Sequence, residues 1–226
     1  MNNKKILLVG GCGFIGHNLA IHLKKMGGDP VIVDSLAVNN ILSFADNDIK
    51  NKKLYSSILN NRIELLNNNE IKLIVQDARD YHAISKIYHE IKPEIIIHLA
   101  AVSHANKSNK DPHSTFDHSF RTLENTLDYA KKNKTHTIYM SSSMVYGNFD
   151  SEDAKEERIC KPIGIYGTLK YSGELLVKAY SDVFDLPYTI IRPSALYGER
   201  CVSRRVGQIF IENEIQNLDI VINGNG

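Results

Sequence analysis

The sequence predicts an α/β protein built on a doubly wound parallel sheet, and three observations carry that expectation. Short aliphatic runs recur without apolar–polar alternation, as strands covered on both faces require. Longer amphipathic segments separate them, which suits right-handed strand–helix–strand crossovers. A glycine-rich turn follows the first run and opens the first helical segment, the order found where such sheets bind nucleotides.

The runs read as strands are Ile6–Val9, Val31–Val33, Leu73–Val75, Ile95–Leu99, Thr137–Met140 and Tyr188–Ile191. The segments read as helices are Ile15–Met26, Asp80–Ile91, Phe116–Lys132 and Tyr166–Phe184. Between Asp34 and Ile71 lies an Asn- and Lys-rich insertion of about 35 residues, far longer than a usual connection. Ile58, Leu59, Ile63, Leu65 and Leu66 give it helical periodicity, so a helical excursion is expected over about residues 35–70. Gly147–Lys161 reads as a polar loop, and Leu218–Ile222 as a further strand-like run before a terminal glycine turn.

Composition narrows the function. The chain has 226 residues, 42% hydrophobic and 23% charged, enough for a sizeable core and against overall disorder. Its 27 basic and 26 acidic side chains nearly cancel, unlike the basic excess of a nucleic-acid or acidic-membrane partner. Three distant cysteines, Cys12, Cys160 and Cys201, suit neither a disulfide framework nor a zinc site, so a cytoplasmic compartment is expected. No apolar run approaches the roughly 20 residues that cross a bilayer. Lys4-Lys5 before Ile6–Val9 is too short a pattern for a signal peptide.

The first chemical motif is Gly10-Gly11-Cys12-Gly13-Phe14-Ile15-Gly16. Glycines at 10, 13 and 16 allow a tight turn, close approach of a pyrophosphate and tight helix–strand packing. The helix start then offers free N–H groups to the phosphates. Asp34 ends the second strand about twenty residues later, where a carboxylate accepts both ribose hydroxyls of adenosine and repels a 2′-phosphate. NAD is therefore favoured over NADP. Asp77-Ala78 closes the third strand; Asp77 could meet the adenine amino group or act as a helix cap, a role for which Asp80 competes.

The second motif is Tyr166-Gly-Thr-Leu-Lys170, which places a phenol and an ammonium one helical turn apart on one face. An ordinary phenol, with a pKa near 10, is a poor base at neutral pH, and a nearby cation stabilises its phenolate. Upstream, the fifth strand ends in Ser141-Ser142-Ser143-Met144-Val145-Tyr146-Gly147, and strand C-termini in such sheets face the ligand crevice. These serines lack the G-x-S-x-G elbow of a serine hydrolase.

Taken with His98-Leu99-Ala100-Ala101 and Arg192-Pro193…Tyr197-Gly198, the ordered set resembles the extended short-chain dehydrogenase/reductase family across nearly the whole chain. Within that family it looks most like the nucleotide-sugar epimerases and dehydratases. The resemblance implies a Rossmann fold, NAD as cofactor and a nucleotide-sugar substrate. It maps the catalytic hydroxyl onto Ser142, the base onto Tyr166 and the ribose-binding lysine onto Lys170. It also places Gly10, Gly13, Phe14, Ile15, Gly16, Asp34, Asp77, Ala78, Leu99, Ala100, Ala101 and Pro193 around the cofactor. Ser103, Ser142, Ser143, Tyr166, Ala195 and Arg204 then face the substrate.

Absences within the resemblance discriminate further. Dehydratases of this kind carry an Asp-Glu pair after the serine or threonine, where this chain has Ser143 and Met144. Decarboxylases have a glutamate at the Met144 position, and the fucose-type epimerase/reductases a cysteine nearby. What remains is a 4-epimerase: oxidation, rotation of the keto sugar, and reduction from the other face. Net dehydrogenation or reduction of a nucleotide sugar, and non-catalytic NAD binding, are the alternatives. Ala195 replaces an asparagine that relatives direct to the diphosphate, and His118 stands where relatives have asparagine.

The remaining features have plainer expectations. His104, His113 and His118 are spaced poorly for a metal. Glu199-Arg200 and Arg204-Arg205 read equally as phosphate ligands or a solvated helix start. Phe116, Phe120, Leu123 and Leu127 read as core or as the seam of a homodimer. In the family the chain continues past a similar glycine turn. Residues 1–191 are therefore expected to form the NAD-binding domain and 192–226 the truncated start of a substrate-binding domain, with NAD binding retained and turnover weak or absent.

Overall fold

The computed structural model describes residues 3–44, 51–103, 105–149, 155–203 and 206–222. Six parallel strands form one sheet in the order β3-β2-β1-β4-β5-β6. They are β1 (Lys5–Val9), β2 (Asp29–Asp34), β3 (Lys72–Val75), β4 (Ile95–His98), β5 (His136–Met140) and β6 (Tyr188–Ile191). All six expected strands are present, with ends shifted by at most two residues from their sequence-read limits. The strand order reverses between β1 and β4, which opens a crevice beyond their C-terminal ends.

The core explains why the strand runs do not alternate. Leu7, Val9, Val31, Val33 and Ile96 face one apolar layer, with Ile84 and Tyr88 of α3 (Tyr81–Ile91), Leu123 and Leu127 of α6 (Thr122–Asn133) and Val177 of α7 (Gly164–Phe184). Ile6, Leu8, Ile32 and Ile97 face the other, with Ala20 and Leu23 of α1 (Phe14–Lys25) and Leu66 of α2 (Lys52–Asn68). Both faces of the central strands are covered, so apolar residues are needed at every position.

Within the insertion, Lys52–Asn68 forms the helix α2. Tyr55, Leu59, Arg62 and Leu66 form the buried stripe of α2, so one of its four core-facing positions is an arginine. The span Phe116–Lys132 departs from the expectation of one regular helix. After the short α4 (Ala105–Lys110) it begins earlier, in α5 (Pro112–Phe116), where Asp111 accepts a hydrogen bond from the Ser114 amide at 3.0 Å. A π-helical turn over Asp117–Arg121 then leads into α6. The wider turn rotates the expected four-residue face apart. Leu123 and Leu127 enter the core, while Phe116 remains exposed and stacks on Phe120 at 5.3 Å between centroids.

Two further expectations are corrected. Leu218–Ile222 forms no strand among the described residues, and Leu218, Ile220, Val221 and Ile222 are exposed. A strand exists only with a ladder partner, which sequence pattern alone does not supply. The helix after Glu199-Arg200 is α8 (Val206–Ile215), so Glu199 and Arg200 are not its start. Residues 192–203 run without regular structure between β6 and α8, and the described chain ends in an exposed tail. Among the described residues no helix is long and apolar enough to cross a membrane.

Candidate active site

A cavity of about 390 Å³ occupies the crevice at the strand-order reversal. Nearly every residue singled out in the sequence lines it: Gly10, Gly13, Phe14, Ile15, Gly16, Asp34, Asp77, Ala78, Leu99, Ala100, Ala101, Ser103, Ser142, Ser143, Tyr166, Lys170, Pro193 and Ala195. Arg204 and His104 lie outside the described residues.

The half beneath β1 and β2 is shaped by backbone. Gly10 has φ of +75°, and a Cβ there would sit 2.6 Å from the Ala100 backbone nitrogen. The turn can therefore pass this close to the end of β4 only without a side chain. Its amide donates to the Val33 carbonyl at 2.7 Å, so it leaves the sheet in register. Gly13 caps α1 with no side-chain acceptor, which leaves first-turn amides available to an anion. The Asp34 carboxylate accepts from the Cys12 amide at 2.9 Å and the Leu36 amide at 2.8 Å. Burial pushes its pKa up, while those two amides and the charge of Arg62 favour the ionised form. A cradle closed to a Cβ at Gly10 and Gly16, open helix-end amides and a lining carboxylate fit a dinucleotide.

Asp77 does not cap the next helix. Asp80 does, accepting from the Ala83 amide at 3.0 Å. Asp77 instead pairs with Arg79 at 2.7 Å, which holds its pKa below the ordinary carboxylate value. Arg200 is likewise no exposed phosphate ligand: it donates to Nε2 of His17 and Oδ1 of Asn18, both at 2.9 Å. With its second nitrogen on the Gly13 carbonyl, His17 is buried and its pKa falls to about 4, chiefly through burial.

The other half is built from side chains. Tyr166 and Lys170 start α7, which packs close to the turn Ser143–Tyr146: a Cβ on Gly167 would lie 2.8 Å from the Met144 carbonyl oxygen. Lys170 is buried, donates to the Met140 carbonyl at 2.7 Å and lies 5.3 Å from the Tyr139 ring centroid. Burial lowers its pKa to about 8, which keeps it mostly cationic at neutral pH. Ser142 caps the turn by accepting from the Met144 amide at 3.2 Å, and the Ser143 amide donates to the Pro193 carbonyl at 2.9 Å. Ser103 accepts from Asn39 at 2.9 Å.

Behind the serines lies a polar network that the sequence reading missed. Glu174 is fully buried on α7 and accepts from the Ser141 hydroxyl. Arg192 holds it bidentately, Nε to Oε1 at 2.9 Å and Nη2 to Oε2 at 2.7 Å, and donates to the Tyr146 hydroxyl at 3.0 Å. The carboxylate raises the Arg192 pKa. The signal for Glu174 was present: it continues the four-residue spacing of Tyr166 and Lys170 along one helix face. His98 is buried between Thr122 and Thr126, and burial drops its pKa to about 3. His118 lines the cavity while its ring nitrogen meets the Ser114 carbonyl oxygen at 2.9 Å. The described residues hold no metal-ligating cluster.

This arrangement is that of a nucleotide-binding α/β fold whose crevice brings a Tyr–Lys pair and a serine to one end. The chain belongs to the NAD dependent epimerase/dehydratase family, whose pattern matches residues 6–226. It is 29% identical to dTDP-D-glucose 4,6-dehydratase of Dictyostelium discoideum, over 100% of this chain and 53% of that protein. It is 32% identical to Protein CapI of Staphylococcus aureus, over 86% of this chain and 54% of the relative. The structure superposes with a TM-score of 0.82 on the Bacillus cereus UDP-glucuronic acid 4-epimerase solved with UDP-glucuronic acid and NAD. That match has 25% identity and covers 98% of this chain and 66% of the other. The chain thus spans about half to two thirds of the length of these proteins.

Proposed function

We propose that this chain is the cofactor-binding part of an NAD-dependent nucleotide-sugar 4-epimerase. Residues 1–191 form the NAD domain in this reading, and 192–226 begin the substrate-binding part. The glycine turn and the α1 amides would hold the diphosphate of NAD, Asp34 the adenosine ribose, and Lys170 the nicotinamide ribose. When bound, NAD supplies reversible hydride acceptance at the sugar carbon. Tyr166 would remove the proton of the hydroxyl borne by that carbon and return it, and Lys170 favours the phenolate through its charge. Ser142 hydrogen-bonds the same oxygen and steadies it as it passes between hydroxyl and carbonyl.

The observation that favours epimerisation over loss of water is the make-up of the β5–α7 end. Among the described residues lining it are serines, Met144, Tyr166 and Lys170, and no carboxylate. Asp34 and Asp77 lie at the ends of β2 and β3, and Glu174 is committed to Arg192 and Ser141. Elimination needs an acid–base pair beyond the tyrosine; inversion through a ketone does not. A panel of UDP-, GDP- and dTDP-sugars, screened by thermal shift and followed by NMR, tests this. C4 inversion without net NADH, slow in this chain, is expected, and Tyr166→Phe should slow it about a further 100-fold or more while leaving NAD affinity within a few-fold. Net NADH at 340 nm would indicate a dehydrogenase instead, and a 4-keto-6-deoxy product a dehydratase. Unchanged turnover in Tyr166→Phe would remove the tyrosine from the chemistry.

A further inference from the structure

Arg62 occupies a core position of α2 and is 1% exposed. A charged side chain there must find partners for its five donors. Nε and Nη2 both donate to the Arg200 carbonyl, at 3.1 and 2.6 Å. The rigid fork turns Nη1 away from that oxygen, and Nη1 is buried with no hydrogen-bond partner among the described residues. Orphaned donors of this kind are rare in folded proteins and call for an explanation.

The surroundings supply one. Arg62 lines the cavity together with Gly10, Gly13 and Asp34, and its charge acts on Asp34 and Cys12. Its position is set from behind, because the residue whose carbonyl accepts from its other two nitrogens is anchored on α1 through His17 and Asn18. Arg62 is thus held near the carboxylate at the end of β2 with one guanidinium nitrogen uncommitted.

Resting on the reading that this cleft binds NAD, we propose that Arg62 is a further cofactor-binding residue, donating Nη1 to a ribose hydroxyl oxygen of the adenosine opposite Asp34. A vicinal diol carries both O–H donors and oxygen acceptors. The ionised Asp34 only accepts and Arg62 only donates, so together they match both halves of the diol. A 2′-phosphate would satisfy Arg62 but press its charge on the buried Asp34.

Calorimetric titration of the whole chain with NAD and with NAD lacking the adenosine 2′- or 3′-hydroxyl tests the pairing, in wild type and Arg62→Lys. Wild type should lose about tenfold for at least one deoxy analogue, and Arg62→Lys about tenfold for NAD itself. The deoxy penalty should shrink at least about threefold in the variant, since one of the two ribose partners has gone. Equal proportional losses for NAD and its deoxy forms would overturn the proposal, leaving Arg62 as a support for the Arg200 segment or a diphosphate ligand. Wild-type NAD affinity in the variant would overturn it as well. Absence of NAD binding by wild type would instead sink the cofactor reading on which the proposal stands. If the variant does not fold, the 15N-arginine spectrum of wild type decides. The Arg62 guanidinium signals should move with NAD and not with the 2′,3′-dideoxy analogue; equal shifts would refute the contact.

Discussion

The two halves of the cleft are built on different principles. Beneath β1 and β2 the surface is backbone, fixed by φ angles, close approach and helix-end amides, with Asp34 as its main side-chain acceptor. At the end of β5 and the start of α7 it is side chain, with Lys170 held by the Met140 carbonyl and Ser141 by Glu174, which Arg192 holds in turn. The first half should resist side-chain exchange yet fail on a single added methyl group. The second should fail when one member of a buried polar network is removed.

The largest expected effect comes from Gly10→Ala. It combines a positive φ with a Cβ 2.6 Å from the Ala100 nitrogen. Left-handed strain and backbone overlap together should cost about 4 kcal/mol or more, read as a collapse of NAD affinity and of the denaturant midpoint. Near-normal values in this variant would break the contrast between the halves.

Glu174→Gln probes the other half and ranks next. It leaves Arg192, whose side chain is only 15% exposed, without its countercharge. Removing one partner of a buried ion pair costs about 3 kcal/mol or more, so urea unfolding should shift by roughly that amount. A loss below about 1 kcal/mol would show that the network behind Ser141 contributes little to holding the site.

Acid should act through smaller single-residue contributions, one in each half. His17 and His98 are neutral in the fold, with pKa values near 4 and 3, whereas an unfolded histidine titrates near 6.5. Below that value the unfolded chain takes up protons that the native chain does not. Stability therefore falls as pH drops from about 6.5 toward 4, by about 2 kcal/mol per histidine at pH 5. Urea titrations at pH 7.5 and 5 measure this. His17→Asn should remove part of the slope by relieving the nucleotide half alone; an unaltered slope would place the acid sensitivity elsewhere.

Much of this molecule could be read before its structure. Six strands, the helical insertion and the Asp34 and Tyr166–Lys170 positions follow from local pattern, because burial on both sheet faces and a shared helix face leave marks at short sequence spacing. The π-helical turn at Asp117–Arg121 left no such mark, and it moved Phe116 off the core-facing side. Leu218–Ile222 carried the marks of a strand without a ladder partner among the described residues. Glu174 was readable by spacing, but nothing local signals Arg192, its partner across the fold.

On its own, the sequence determined the sheet, the glycine cradle and the Ser–Tyr–Lys set, since each depends on residue type at fixed intervals along one or two adjoining elements. Only the tertiary structure decided how charges separated by long stretches of chain are balanced. It put Glu174 beneath Arg192, locked Arg200 onto α1 and brought Arg62 beside Asp34. A buried charge is tolerated only where distant parts of the chain deliver its partners, and that delivery belongs to packing rather than to any local motif.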